Sequence, residues 1–545
     1  MLAHLPARLL WSAALLGALL TVSLPATAKT PNPSDDPKWC RVCHQDAVFA
    51  PAEVSATAHA DVSCRECHKG FHFNPHEKVI SPEGEPAQAL KDRGLRVPDA
   101  WTACGDCHEV GENPGHLPHG KDKDGAKAGL PYCKDCHGSP HTIRLAKELE
   151  PNARRAEMNE KCITCHGDPK HMKPFKIPTD VVEGYEHTMH ARHLHLGSKE
   201  SPGCADCHGG HTPIDRNAVT AQPCIKCHAN ATPAFRKNAT HAAMTADRRP
   251  ISFWTVKFFA WLTFLTIFGL CLHVLLDLAA TFRAARKGGG HGHVDHGANL
   301  LAKAGLVDKD RRVVRFDVHQ RIMHGIMAFS FTTLVLTGWP LSAHGFGASR
   351  FLVDLFGGLQ TAGLWHRIAA IGLVITSVYH VTYLVVLAFS RKLPLSMVPM
   401  PRDLFDAIGN IMYFLGLRKE RPKFARFSYF EKFDYWAVFW GVVIMVGSGT
   451  IRWFPAEFAK IAPNWLYEVA FLAHADEALL AAMAIFVWHF YNVHLRPAVF
   501  PMSWVFLHGR LTVEELAEEH GAEYDALVEK AKAKVAKADD GKEGA

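Results

Sequence analysis

"CRVCHQDAVFAPAEVSATAHADVSCRECHKG" (residues 40–70) carries the pattern C-x-x-C-H twice in a stretch too polar to form a core. The pair Cys40 and Cys43 is followed by His44, and the pair Cys64 and Cys67 by His68. The pattern recurs at Cys104, Cys107 and His108; Cys133, Cys136 and His137; and Cys162, Cys165 and His166. Two further copies are Cys204, Cys207 and His208, then Cys224, Cys227 and His228. Seven copies account for fourteen of the fifteen cysteines. Disulfides do not require a histidine after every second cysteine, and seven adjacent histidines fit no tetrahedral zinc arrangement. The pattern reads as covalent haem c attachment. Thiols at i and i+3 lie on one helical turn and reach both porphyrin vinyl groups, and the next histidine stands over the iron as proximal ligand.

Seven haem c groups change what the polypeptide must do. Each brings its own apolar surface, so short helices at the motifs and irregular chain between them suffice to wrap stacked porphyrins. Residues 29–250 hold twenty histidines, of which seven are proximal, leaving thirteen for the opposite face of the iron. His59 lies just before the second motif, while His141 and His211 lie just after theirs. These placements resemble multihaem cytochromes of respiratory chains. The distal candidates are His59, His76, His119, His141, His190, His211 and His241. Iron with two histidines has no vacant position, so such a haem carries electrons rather than substrate.

The first 28 residues read as a secretory signal: Arg8, an apolar run from Leu9 to Leu24, and Ala26-Thr27-Ala28 before the cleavage point. The segment 29–250 is therefore expected outside the cytoplasm, in the periplasm of a bacterium. A net charge of only +6 implies no nucleic-acid partner. From Phe253 the composition turns apolar, and five stretches are long enough to cross a bilayer: about 253–280, 320–343, 366–389, 434–454 and 470–493. The connections 283–317 and 391–432 carry eight and nine Lys/Arg, whereas 344–364 and 456–469 carry one each. The positive-inside rule puts the first two in the cytoplasm, which agrees with an exported N-terminal half. The expected fold is mostly α. An irregular heptahaem cytochrome c domain precedes a five-helix transmembrane bundle (251–500) and a cytoplasmic helical tail (501–545). The lipid bilayer of the inner (cytoplasmic) membrane is its first partner.

Histidines recur inside these spans, where ionisable groups are costly and usually functional. His324 lies near the start of the second span. His366 opens the third with His380 fourteen residues on, and His474 opens the fifth with His489 fifteen on. Fourteen residues rise about 21 Å and return to nearly the same face. That arrangement suits two stacked b-type haems held between helices. Cys271 reads as a small buried apolar residue, His273 and His494 as interfacial, and "GGGHGHVDHG" (288–297) as a linker.

Residues 315–535 resemble the gamma, cytochrome b subunit of membrane formate dehydrogenases and the cytochrome b of nickel–iron hydrogenases. The stretches that carry the resemblance are "HQRIMHGIMAFSFTTLVLTGWPL", "LWHRIAAIG", "FDYWAVFWGVVIMVGSGTIRWFP", "HADEALLAAMAIFVWHFYNVHL" and "GRLTVEELAEEHGAEYDALVEK". The resemblance implies that His366 and His474 bind a periplasmic haem b, and His324 and His489 a cytoplasmic one. It also implies a quinone site beside the latter. Departures are Gly325 where Trp is usual, one extra residue between His474 and His489, and His380, a rival ligand without counterpart. The segment before the fourth span, "RFSYFEKFDYW", lacks the family's Asn-Ala-Gly, leaving Glu431 and Lys432 as quinone-site candidates.

Together these features imply a quinol dehydrogenase. It would oxidise quinol, expected to be menaquinol from the quinone pool, and pass electrons to periplasmic cytochromes or other redox proteins and on to extracellular acceptors. The whole resembles the fused c- and b-type inner-membrane cytochromes of metal-respiring bacteria. Two alternatives remain: a subunit delivering electrons inward from a periplasmic dehydrogenase, and a terminal reductase with one open haem c.

Overall fold

The computed structural model describes residues 59, 62, 107–108, 133–138, 143–210, 222–237, 241–286, 294–390, 395–497 and 499–543. The signal segment, the motifs at 40–44 and 64–68, Cys104, and the distal candidates His76, His119, His141 and His211 lie outside the described residues. Two compact units emerge, one from residues 1–114 and 122–149, the other from 115–121 and 150–545. The described part of the first holds the motif helix Cys133–His137 and a short 3-10 turn, Ala146–Glu148.

In the second unit, helix α1 (Pro151–His166) starts on a proline at its first turn and carries Cys162, Cys165 and His166 at its last. Helices α2 (Val181–Glu186), α3 (Met189–His195), α4 (Cys204–His208) and α5 (Gln222–Ile225) follow. Each is short because Gly, Pro and Asp punctuate this segment. Few apolar side chains are buried between 150 and 249; Met172, Tyr185, Leu194 and Leu196 are the largest among the described residues. A segment of this length with so small an apolar core is short of interior material.

Five helices are long and apolar enough to cross a membrane: α6 (Pro250–Ala285), α7 (Val318–Ser342), α8 (Leu359–Phe389), α9 (Tyr429–Trp453) and α10 (Asn464–Leu495). Their large apolar side chains point outward, Trp254, Phe258, Trp261 and Phe264 on α6 among them. Such a surface requires lipid rather than water. Small residues sit where helices touch. Ala362, Ala369 and Thr376, spaced seven residues apart, form a stripe of buried small residues on α8, which packs on α7 with its buried Ser330, Thr333 and Thr337. Side chains of this size let backbones approach closely, which is what drives helix association in lipid. Helix α10 packs on both α6 and α9 through a face that includes Ala470, Ala473 and Leu480.

At the Lys/Arg-rich end, strand β1 (Arg312–Val314) pairs antiparallel with strand β2 (Arg510–Thr512), Val313 opposite Leu511. Helix α11 (Gly521–Glu543) packs against the helix Val294–Lys303, burying Ala298, Leu301, Ala304, Val513 and Ala531. The last four residues of the glycine- and histidine-rich stretch are thus helical. A Cβ on Gly297 would lie 1.9 Å from the Tyr524 hydroxyl oxygen, so only glycine allows this contact. Arg315, with 3% of its side chain exposed, ties the tail to the bundle by pairing with Glu431 at 3.0 Å and Glu523 at 3.1 Å.

Replacing Arg315 by leucine strands both carboxylates. Breaking a buried pair costs 3–5 kcal/mol, and 30% exposure of Glu431 lowers the expected loss to about 2–3 kcal/mol. The expected outcome is a lower thermal midpoint in detergent and faster proteolysis of residues 510–543.

Candidate metal centres

Two histidine pairs face each other across the bundle. His366, on the third turn of α8, and His474, midway along the Asn464–Ala484 part of α10, have ring centres 6.4 Å apart. Their Nδ1 atoms meet matching partners on the neighbouring helices. The Thr337 hydroxyl donates to the Thr333 carbonyl at 2.6 Å and receives His366 Nδ1–H at 2.9 Å. The Ser448 hydroxyl donates to the Ile444 carbonyl at 2.7 Å and receives His474 Nδ1–H at 3.0 Å. Because each hydroxyl proton is already committed, each imidazole must donate from Nδ1. That leaves Nε2 with a free lone pair, the form a metal requires. Glycine follows the hydroxyl in both helices. A Cβ on Gly338 would come within 3.1 Å of His366 Cε1, and one on Gly449 within 3.1 Å of His474 Cε1.

His324 of α7 and His489 of α10 form the second pair, with ring centres 6.3 Å apart. His489 Nδ1 lies 3.1 Å from the Asp434 carboxylate, which again leaves Nε2 as the free nitrogen. Fifteen residues of regular α-helix would swing His489 about 60° past His474. The π turn Ile485–His489 takes up the extra residue and returns the ring towards α7. The pairs are separated along α10 by about 22 Å. His380 instead places Nε2 2.8 Å from the Tyr435 hydroxyl.

Three further histidine pairs lie in the N-terminal half. Motif residue His108 faces His59 at 6.0 Å, His228 faces His190 at 6.3 Å, and His208 faces His241 at 6.4 Å. Every distal candidate among the described residues thus stands opposite a motif histidine, in pairings that sequence alone left open. Burial is the main cause that holds His190 down at about 4, with repulsion from His228 adding to it, so its ring is neutral at pH 7. The α4 motif is fixed from below by Asn159, whose Oδ1 accepts from Cys204 N–H at 2.8 Å while its Nδ2 donates to the Tyr185 hydroxyl at 3.0 Å. The chain around His241 crosses so close to α2 that a Cβ on Gly184 would lie 2.1 Å from the His241 carbonyl oxygen.

These spacings meet a simple test. Two imidazoles on opposite sides of one ion, each with a metal–nitrogen distance of about 2.0 Å, have ring centres about 6.3 Å apart. All five pairs lie between 6.0 and 6.4 Å. The residues present therefore fit axial ligation of an iron porphyrin.

The quinone-site candidates are differently engaged. Glu431 accepts from Ser428 N–H at 2.8 Å and from its hydroxyl at 2.7 Å, closing the first turn of α9, and pairs with Arg315. Lys432 donates to both oxygens of Asp403 at 2.8 Å. Sequence reasoning missed Thr337, Ser448 and Asp434. The repeated hydroxyl-glycine step, Thr337-Gly338 and Ser448-Gly449, was the available signal for the first two. No protein-family model matches the chain, and no curated protein is significantly similar to it.

Gly184→Ala is expected to push His241 away from His208; a haem iron held between the two rings would then pass from low to high spin, read by electron paramagnetic resonance. Ser448→Ala removes the acceptor for His474 Nδ1–H. A metal-centred group held by that pair is expected to bind 10–100-fold more weakly, which for a haem would be seen as non-covalent haem lost on dilution in pyridine haemochrome assays.

Proposed function

We propose that this chain is an inner-membrane quinol dehydrogenase that carries electrons outward across the bilayer to periplasmic or extracellular acceptors. The observation that carries the reading is the pair of histidine pairs, His366 with His474 and His324 with His489, spaced for axial ligation at two depths of the bundle. Those four residues would hold two haem b groups. The seven C-x-x-C-H motifs would hold haem c, with His59, His190 and His241 as distal ligands to the third, seventh and sixth. When bound, these groups supply one-electron exchange between ferric and ferrous iron.

The protein's own part is to hold and orient. Thr337, Ser448 and Asp434 fix the imidazole tautomers. Oxidation of a quinol releases two electrons and two protons. Glu431 and Lys432 lie within one turn of Asp434, at the Lys/Arg-rich end; the carboxylates of Glu431 and Asp403 are the proposed proton acceptors, held in place by Arg315 and Lys432. The charge asymmetry of the loops supports placing that end inside. With the cytoplasm negative, outward electron movement gains roughly 2.3 kcal/mol per 100 mV, so a quinol can reduce acceptors below its own potential.

A menaquinol analogue added to isolated membranes should reduce the b-type bands before the c-type bands. Failure to reduce the b-type bands overturns the proposal. Asp403→Asn frees Lys432 and is expected to slow this reduction at least tenfold, while the dithionite-reduced spectrum stays unchanged.

A further inference from the structure

Glu186, His195 and His344 stand apart from the paired histidines. One donor atom from each lies within 4.8 Å of the other two. Glu186 ends α2, His195 ends α3, and His344 lies in the turn that leaves α7 after Ser342. His195 Nε2 is 2.7 Å from a Glu186 carboxylate oxygen. The rings of His195 and His344 are 5.3 Å apart and inclined by 25°. None of the three belongs to a C-x-x-C-H motif or to the distal candidates.

Ring spacing separates two kinds of metal ligation. Imidazoles on opposite sides of an ion stand about 6.3 Å apart, whereas two at a tetrahedral angle stand about 5.1 Å apart. The five pairs described above follow the first spacing and His195 with His344 the second. His344 Nδ1 is also buried with no hydrogen bond of normal geometry, a cost that an ion bound at that atom would offset. Two histidines and one carboxylate make the ligand set that holds zinc with three protein donors and an open fourth position.

We infer that Glu186, His195 and His344 form a site for a divalent transition-metal ion of the zinc class, separate from the haem ligands. Arg192 stands on the same helix as His195 and donates to the Leu341 carbonyl at 3.4 Å. Its positive charge opposes a cation here, and the Glu186 carboxylate offsets it. His195 is about half exposed, so an ion reaches it from solution. The bound ion fastens the end of α3 to the turn after α7. Since α3 also carries His190, the ion stiffens the helix that presents that ring to His228.

The test uses the full-length protein in detergent, stripped with EDTA and reloaded with zinc chloride. Wild type should retain one zinc per chain after dialysis by elemental analysis, with a zinc-edge absorption spectrum of two imidazoles and light-atom donors at about 2.0 Å. Glu186→Gln and His344→Ala each remove a direct ligand and should weaken zinc binding beyond the 10–100-fold typical of an outer-shell change, read by chelator competition, with the reduced haem spectra unchanged as the check on folding. The inference is overturned if wild type retains no zinc, if both variants retain it as tightly as wild type, or if the spectrum shows only oxygen donors.

Discussion

A histidine inside a lipid-spanning bundle has two ring nitrogens and no water to satisfy them. Leaving either unpaired costs several kcal/mol, of order 2–7 by transfer measurements. For three of the four paired histidines the structure meets half of this demand with protein groups, through the hydroxyls of Thr337 and Ser448 and the carboxylate of Asp434. The other ring nitrogen of each is left for whatever stands between the paired rings, whose centres are 6.3 and 6.4 Å apart. Everything else in the bundle follows from holding those rings in place: glycine beside each hydroxyl so that the imidazole can approach, and small residues along α8 so that α7 lies close.

The same constraint shapes α10. It carries one histidine of each pair and touches α6 as well as α9, so a rotation at either histidine would be felt at both. A π turn at this point costs regular hydrogen-bond geometry, and it persists because two ring positions on one helix must both be met. Glu477 adds a further polar group to that helix, buried one turn beyond His474 and facing Gly441. An intramembrane carboxylate at such a place is expensive to bury.

Much of this was readable from residue order, for identifiable reasons. The C-x-x-C-H copies are local patterns, and the five spans are carried by composition over some twenty residues each. Both survive without knowledge of tertiary contacts. The face shared by His474 and His489 was legible only roughly, because a regular period does not anticipate a π turn. Which distal histidine meets which motif was not legible at all: His59 reaches past the second motif to His108, a contact across 49 residues that no local rule encodes. Glu431 looked free for chemistry because nothing local announces its partners: Arg315 lies 116 residues away in sequence and Ser428 belongs to the turn that Glu431 closes.

The short sheet at the Lys/Arg-rich end has a consequence for assembly. Residues 312–314 precede α7 and residues 510–512 follow α10, so their pairing encircles four of the five long helices like a drawstring. During synthesis the earlier strand waits for nearly two hundred residues before its mate exists. The closure therefore forms only after all four of those helices have been made.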